Sequence, residues 1–155
     1  MTVVIRSIIA CALLLVAAGC ATTTQTGTLD SKSVTYVASA DIPWVLNPAG
    51  TNAQAVMYGD PGKPGLYIVR YKWLPGNMSR PHFHPNDRLI VVLSGTWWVG
   101  TGDTFNPDST VPMRAGTYVT HFAKQIHYDG AKGEEAIIEV HGMGPATSTP
   151  AERKP

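Results

Sequence analysis

Residues 81–95 read PHFHPNDRLIVVLSG, with His82 and His84 two apart. In a β-strand that spacing puts both side chains on one face, with Cα atoms ~6.6 Å apart. A metal ion in front of that face lies within reach of both rings, and imidazole suits Zn, Fe, Mn, Ni and Cu. By itself H-x-H is a weak signal, because many surface strands carry it. His121, His127 and His141 follow, and His127 opens another candidate strand. Arg88, four residues after His84, works against a metal. Its guanidinium stays protonated and cannot ligate, and it repels a divalent ion most strongly in a poorly solvated interior. Asp129 lies two residues after His127, on the same strand face, and could supply a carboxylate. Asp87 faces away from Arg88 on simple alternation and is expected in a local ion pair. His121 ends the strand before the His127 turn, from where it can approach the site across the hairpin. Taken singly, His121 and His141 are expected to be ordinary hydrogen-bonded or exposed histidines.

The elements that must position these residues read as strands. LYIVRYKWL, residues 66–74, alternates, with Tyr67, Val69, Tyr71 and Trp73 on one face. Further strands are expected at 34–38, 55–59, 88–95, 96–102, 117–122, 126–130 and 135–142, and one short strand fits within 102–116. GDPGKPG, residues 59–65, is a turn signal. No window has helical periodicity. Short strands between Gly- and Pro-rich turns predict an all-β sandwich or barrel. Of the adjacent Trp97 and Trp98 one points inward and the other outward, where it is available to a homodimer interface. Tyr128, next to His127, is expected to point away from the histidine face, while Trp44, Trp73 and Tyr67 belong to the core.

The chain has 155 residues, 44% hydrophobic and 15% charged, with a formal charge of +1. One domain with a core fits that length. No basic stripe is present, so nucleic acid is excluded as a partner. Residues 1–19 form a signal-peptide pattern, Arg6 followed by an apolar run that ends in small residues. Ala17-Ala18-Gly19-Cys20 resembles the lipobox of bacterial lipoproteins, with Ala17 where Leu is commonest. The resemblance implies that Cys20 is lipidated, becomes the first residue and anchors the chain to a membrane. Ala21, in place of Asp, favours the outer membrane where the cell has one, hence a cell-envelope, periplasmic or extracytoplasmic location. Cys11 leaves with the leader, so the mature domain has no thiol for a disulfide, a nucleophile or a soft-metal ligand. Residues 20–33 read as a flexible tether, 34–146 as the domain and 147–155 as a loose polar tail.

The spacing around the histidines resembles the cupin superfamily. Its first motif is G-x5-H-x-H-x3,4-E-x6-G. Here Gly76, five residues, His82-Phe83-His84, three residues, Arg88, six residues and Gly95 match it. The second motif, G-x5-P-x-G-x2-H-x3-N, is met by Gly116 and His127, with Phe122, Lys124 and Ala131 at its other marked positions. The resemblance implies a double-stranded β-helix, a small jelly-roll barrel whose motif histidines line the interior. It also implies a metal held by His82, His84, His127 and a glutamate, whose position Arg88 takes.

Three outcomes follow. His82, His84 and His127 hold a divalent transition metal, with Asp129 or His121 in support and Arg88 orienting a small acidic substrate. Alternatively the pocket is metal-free, and Arg88 grips a small anion in a binding or sensor module. In the third, an Arg88–Asp129 pair fills a purely structural polar interior. Fold alone does not choose between an enzyme and a passive binder.

Overall fold

The computed structural model describes residues 27–154. The leader, Cys20 and the first part of the tether lie outside the described residues. The chain divides into two compact units, 1–36 and 37–155. Of the first, the described part is a turn in which the Ser33 and Val34 amides donate to the Asp30 carbonyl. The strand expected at 34–38 is not formed, and Val34, Tyr36 and Val37 are exposed. Alternating β-branched residues suit a pleated surface, but without a neighbouring strand to pack on they do not make one.

The second unit is built from strands. In chain order they are β1 (Val45–Leu46), β2 (Asn52–Tyr58), β3 (Gly65–Trp73) and β4 (His82–Phe83). β5 (Arg88–Ser94), β6 (Thr96–Thr101), β7 (Val111–Arg114) and β8 (Tyr118–His121) follow. β9 (His127–Gly130), β10 (Ala136–Gly144) and β11 (Thr149–Pro150) complete the set. They form two antiparallel sheets. One has the order β1-β2-β3-β10-β5-β8 and the other β11-β4-β9-β6-β7. Two short 3-10 turns, Ser39–Asp41 and Pro107–Ser109, are the only helical pieces among the described residues.

Alternation decides what is inside. On β3, Tyr67, Val69 and Trp73 are buried, as their shared face predicts. Val69 and Ile90 flank Val140 in register, so three strands place a branched side chain at one level of the core. Trp97 and Val99 close it from the opposite sheet. Each such burial contributes roughly 1.5–3 kcal/mol. Trp98 points the other way and lies half-buried under the Lys132 ammonium, 4.0 Å from its ring centre. Gly95 makes the turn from β5 to β6 at φ +68°, and a Cβ there would fall 2.0 Å from the Glu135 carbonyl oxygen. Only glycine fits both constraints.

The tail is not loose. Thr149 and Pro150 pair with Phe83 and His82 at the edge of the five-stranded sheet. The Ala151 amide donates to the Pro81 carbonyl at 2.9 Å, and that of Arg153 to the Asp103 carbonyl at 2.8 Å. Glu152 pairs with Arg80. Proline-rich polar sequence reads as unstructured, yet an edge strand accepts a residue without an N–H.

Candidate metal and ligand site

Two strand registers assemble the site. His82 stands opposite His127 across β4 and β9 in one sheet. Arg88 stands opposite His121 across β5 and β8 in the other. His84 follows β4. The ring centres of His82 and His84 are 4.9 Å apart, those of His82 and His127 4.6 Å, and those of His84 and His127 5.2 Å. One ring nitrogen from each of the three lies within 4.8 Å of the others. His121 packs on His127 at 3.8 Å, and a second such cluster joins His121, His127 and Asp129.

Backbone carbonyls set the histidine tautomers. His82 Nδ1 lies 2.8 Å from the Arg80 carbonyl, His84 Nδ1 2.8 Å from that of Thr147, and His127 Nδ1 3.0 Å from that of Gln125. A carbonyl only accepts, so each Nδ1 carries the proton. Each Nε2 is then the ring atom left for an ion, the arrangement that orients metal-ligating histidines, although that of His84 is taken by Arg88. The Nε2 of His127 is buried without a hydrogen-bond partner. Burial, and next the Arg88 charge, push His84 down to about 3. Burial, then His127, push His121 down to about 2. Burial lowers His127 too, against the opposing pull of Asp129. His84, His121 and His127 are therefore neutral at pH 7, as a metal ligand must be. Neutral His84 and His127 with fixed tautomers, beside His82, fit a divalent ion once Arg88 leaves the His84 ring.

Arg88 sits among them. Its Nη1 donates to His84 Nε2, its Nε is buried without a partner, and its carbon lies 5.7 Å from the Tyr71 ring centre. Among the described residues it makes no ion pair. The Arg88–Asp129 pair considered from sequence is not formed. Asp129 accepts the Trp97 indole N–H instead, at 3.2 Å, and its amide donates to Ser79 Oγ. Asp87 also has no ion pair among the described residues. It is exposed, and its carboxylate accepts the Ala123 amide at 2.7 Å.

A cavity of about 390 Å³ opens onto this cluster. Its polar wall includes Arg80, His82, His84, Arg88, His121 and Asp129, and its apolar wall Tyr71, Trp73, Ile90, Trp97 and Ile138. His121 is neither exposed nor hydrogen-bonded, since both ring nitrogens are buried without partners. The ordinary-histidine expectation fails for it because the β5–β8 register turns it inward. That expectation holds for His141, which is half-exposed and 3.0 Å from Glu139, itself paired with Arg70. Tyr128 points away from the histidines, as expected, and donates to the Asn106 carbonyl.

Sequence reasoning missed Thr147, whose carbonyl holds His84, and Ser148 and Pro150, which line the cavity. Nothing in the tail's composition signals that role. Of the two adjacent tryptophans Trp97 is the inward one, and its bond to Asp129 has no sign in the sequence.

No protein-family model matches the chain, and no curated protein matches it. Among solved structures it is similar to the polyketide cyclase RemF of Streptomyces resistomycificus. The TM-score is 0.63 at 16% identity, over 78% of this chain and 87% of that one. An uncharacterised double-stranded β-helix protein of Klebsiella pneumoniae gives 0.58 at 21% identity, over 77% of this chain and 100% of that one. A cupin-2 domain protein of Rhodospirillum rubrum gives 0.56 at 13% identity, over 78% and 80%. Two antiparallel sheets, a histidine-lined interior and these neighbours make the fold the double-stranded β-helix of the cupins.

Proposed function

We propose that this protein is an envelope-anchored cupin that binds a divalent metal through His82, His84 and His127 and takes a small acidic molecule into the adjoining cavity. One observation carries this reading: three backbone carbonyls hold the three Nδ1–H groups, so that each ring keeps its Nε2 for an ion, that of His84 once Arg88 releases it. A divalent ion held there would supply Lewis acidity or activate oxygen. Arg88 would bind and orient the acid group of the ligand. The apolar wall of Tyr71, Trp73, Ile90, Trp97 and Ile138 would exclude water from its body. Asp129 and His121 form a second donor set with His127. The lipobox supports the anchor, with Cys20 as the lipidated residue.

The test is metal analysis on the full chain, purified without chelators. About one equivalent of a transition metal is expected, with loss in His82→Ala, His84→Ala and His127→Ala. Unchanged metal content in His82→Ala and His127→Ala would remove the ligand assignment.

The Arg88–His84 contact favours a second reading, a metal-free module in which Arg88 holds a small anion. Protein that refuses added metal but is stabilised thermally by small carboxylates would decide for it.

A further inference from the structure

We propose that Arg88 is a displaceable latch on the metal site: it caps His84 until a carboxylate draws it away, so the metal ion and an apolar-bodied monocarboxylate bind cooperatively. The inference rests on the three-histidine reading above.

The Nε2 of a neutral imidazole has one lone pair. In this structure that lone pair accepts the Arg88 Nη1–H. It cannot serve a guanidinium and a metal ion together, and the guanidinium cannot lose its proton to make room. With Arg88 seated, the site offers only His82 and His127 as free ligands.

Arg88 has neutral partners only, His84 and the Tyr67 hydroxyl. Its Nε is buried without an acceptor, and no carboxylate pairs with it among the described residues. A guanidinium presents a fork that a carboxylate meets with two parallel charge-assisted bonds, each stronger than a bond to a neutral ring. A carboxylate entering the cavity can therefore outcompete His84 for this donor. Arg88 is the first residue of β5, and its long side chain already lies beside the Tyr71 ring.

The cavity wall names the rest of the ligand. Tyr71, Trp73, Ile90, Trp97 and Ile138 line the same cavity of about 390 Å³ as His82, His84 and His121. That volume lies near the small end of ligand pockets, and an aromatic and aliphatic wall favours a compact apolar body. The ligand class is an aromatic or branched aliphatic acid with a single carboxylate. Because coupling is reciprocal, the metal must also tighten binding of the acid.

The experiment titrates the full chain with Co²⁺, read by its visible absorption, with and without benzoate. Benzamide, of the same shape but uncharged, is the control. Benzoate should tighten Co²⁺ binding at least about tenfold and benzamide less than twofold. Arg88→Leu should bind Co²⁺ about tenfold more tightly than wild type without benzoate, and benzoate should then change nothing. Co²⁺ binding that is indifferent to both benzoate and Arg88→Leu overturns the latch and leaves the three-histidine site standing. No Co²⁺ binding by either protein, with or without benzoate, overturns both. A second measurement does not depend on the variant: the ¹⁵N shift of His84 Nε2 in metal-free wild type should move on adding benzoate. An unmoved shift at saturating benzoate overturns the latch.

Discussion

The main-chain carbonyl of Thr147 holds the Nδ1–H of His84 at 2.8 Å, across 63 residues of chain. The segment that leads into β11 thus reaches back to fix the tautomer and orientation of a candidate ligand. Truncation after Ala146 removes that carbonyl and β11 while leaving every buried core residue in place. Metal affinity should fall about 10- to 100-fold, the usual loss for a partner behind a ligand. The β-sheet signal in circular dichroism should persist. Unchanged affinity would show that His84 needs no such support.

Trp97→Phe should destabilise the fold by about 1–3 kcal/mol. The ring is replaced by a smaller one, and buried Asp129 loses the indole donor to its Oδ1. Denaturant titration at pH 7 measures it, and a change below about 0.5 kcal/mol would mean that Asp129 finds another partner at no cost.

Gly100→Ala should cost about 1–3 kcal/mol by overpacking. A Cβ on Gly100 would sit 2.2 Å from the Tyr128 ring, which is buried and tied by its hydroxyl to the Asn106 carbonyl at 3.0 Å. The double variant Gly100→Ala, Tyr128→Leu should recover part of the loss, and a thermal melt of the pair checks this.

Acid should weaken the metal-free protein. His84 and His121 are held neutral by burial, with pKa values pushed from about 6.5 down to about 3 and about 2. The unfolded chain takes up protons near pH 6.5 and the folded one does not. Stability is therefore full above pH 6.5 and falls as pH drops towards about 3. The steepest slope is about 1.4 kcal/mol per pH unit for each histidine. Denaturant midpoints between pH 7.5 and 4 should show the fall, and His121→Phe should make it shallower. A flat profile in wild type would mean that these rings are solvated.

Cys20→Ser should move the protein from the membrane to the soluble fraction. The lipobox reading attaches acyl chains at this position, and each buried CH₂ contributes about 0.8 kcal/mol to anchoring. Retention in the membrane after this change would show that the anchor is not on Cys20.

What the sequence made legible was local. Tyr67, Val69 and Trp73 on one face of β3 follow from period-two alternation, and so does the pairing of His82 with His84. The inward place of Arg88 follows from its motif position, and the turn at Gly95 from its residue type. What stayed hidden depends on partners far along the chain. His121 looks like any strand-end histidine until β8 takes its register on β5. Trp97 and Asp129 lie 32 residues apart with no local sign of their bond. The tail offers no periodicity, and its role at His84 arises from a backbone atom, to which side-chain composition is blind. Residues 34–38 failed in the opposite sense, with a strand-like pattern and no strand beside it.

All four residues of β9 are buried, and the strand has neighbours on both sides, β4 and β6. Strand β4 has two residues, is half-buried, and is bordered on its outer side only by exposed β11. The histidines therefore belong to two clocks. Amides of β9 are expected to exchange more slowly than those of β4, so that His127 is set in the firmer part of the sheet and His82 on its margin.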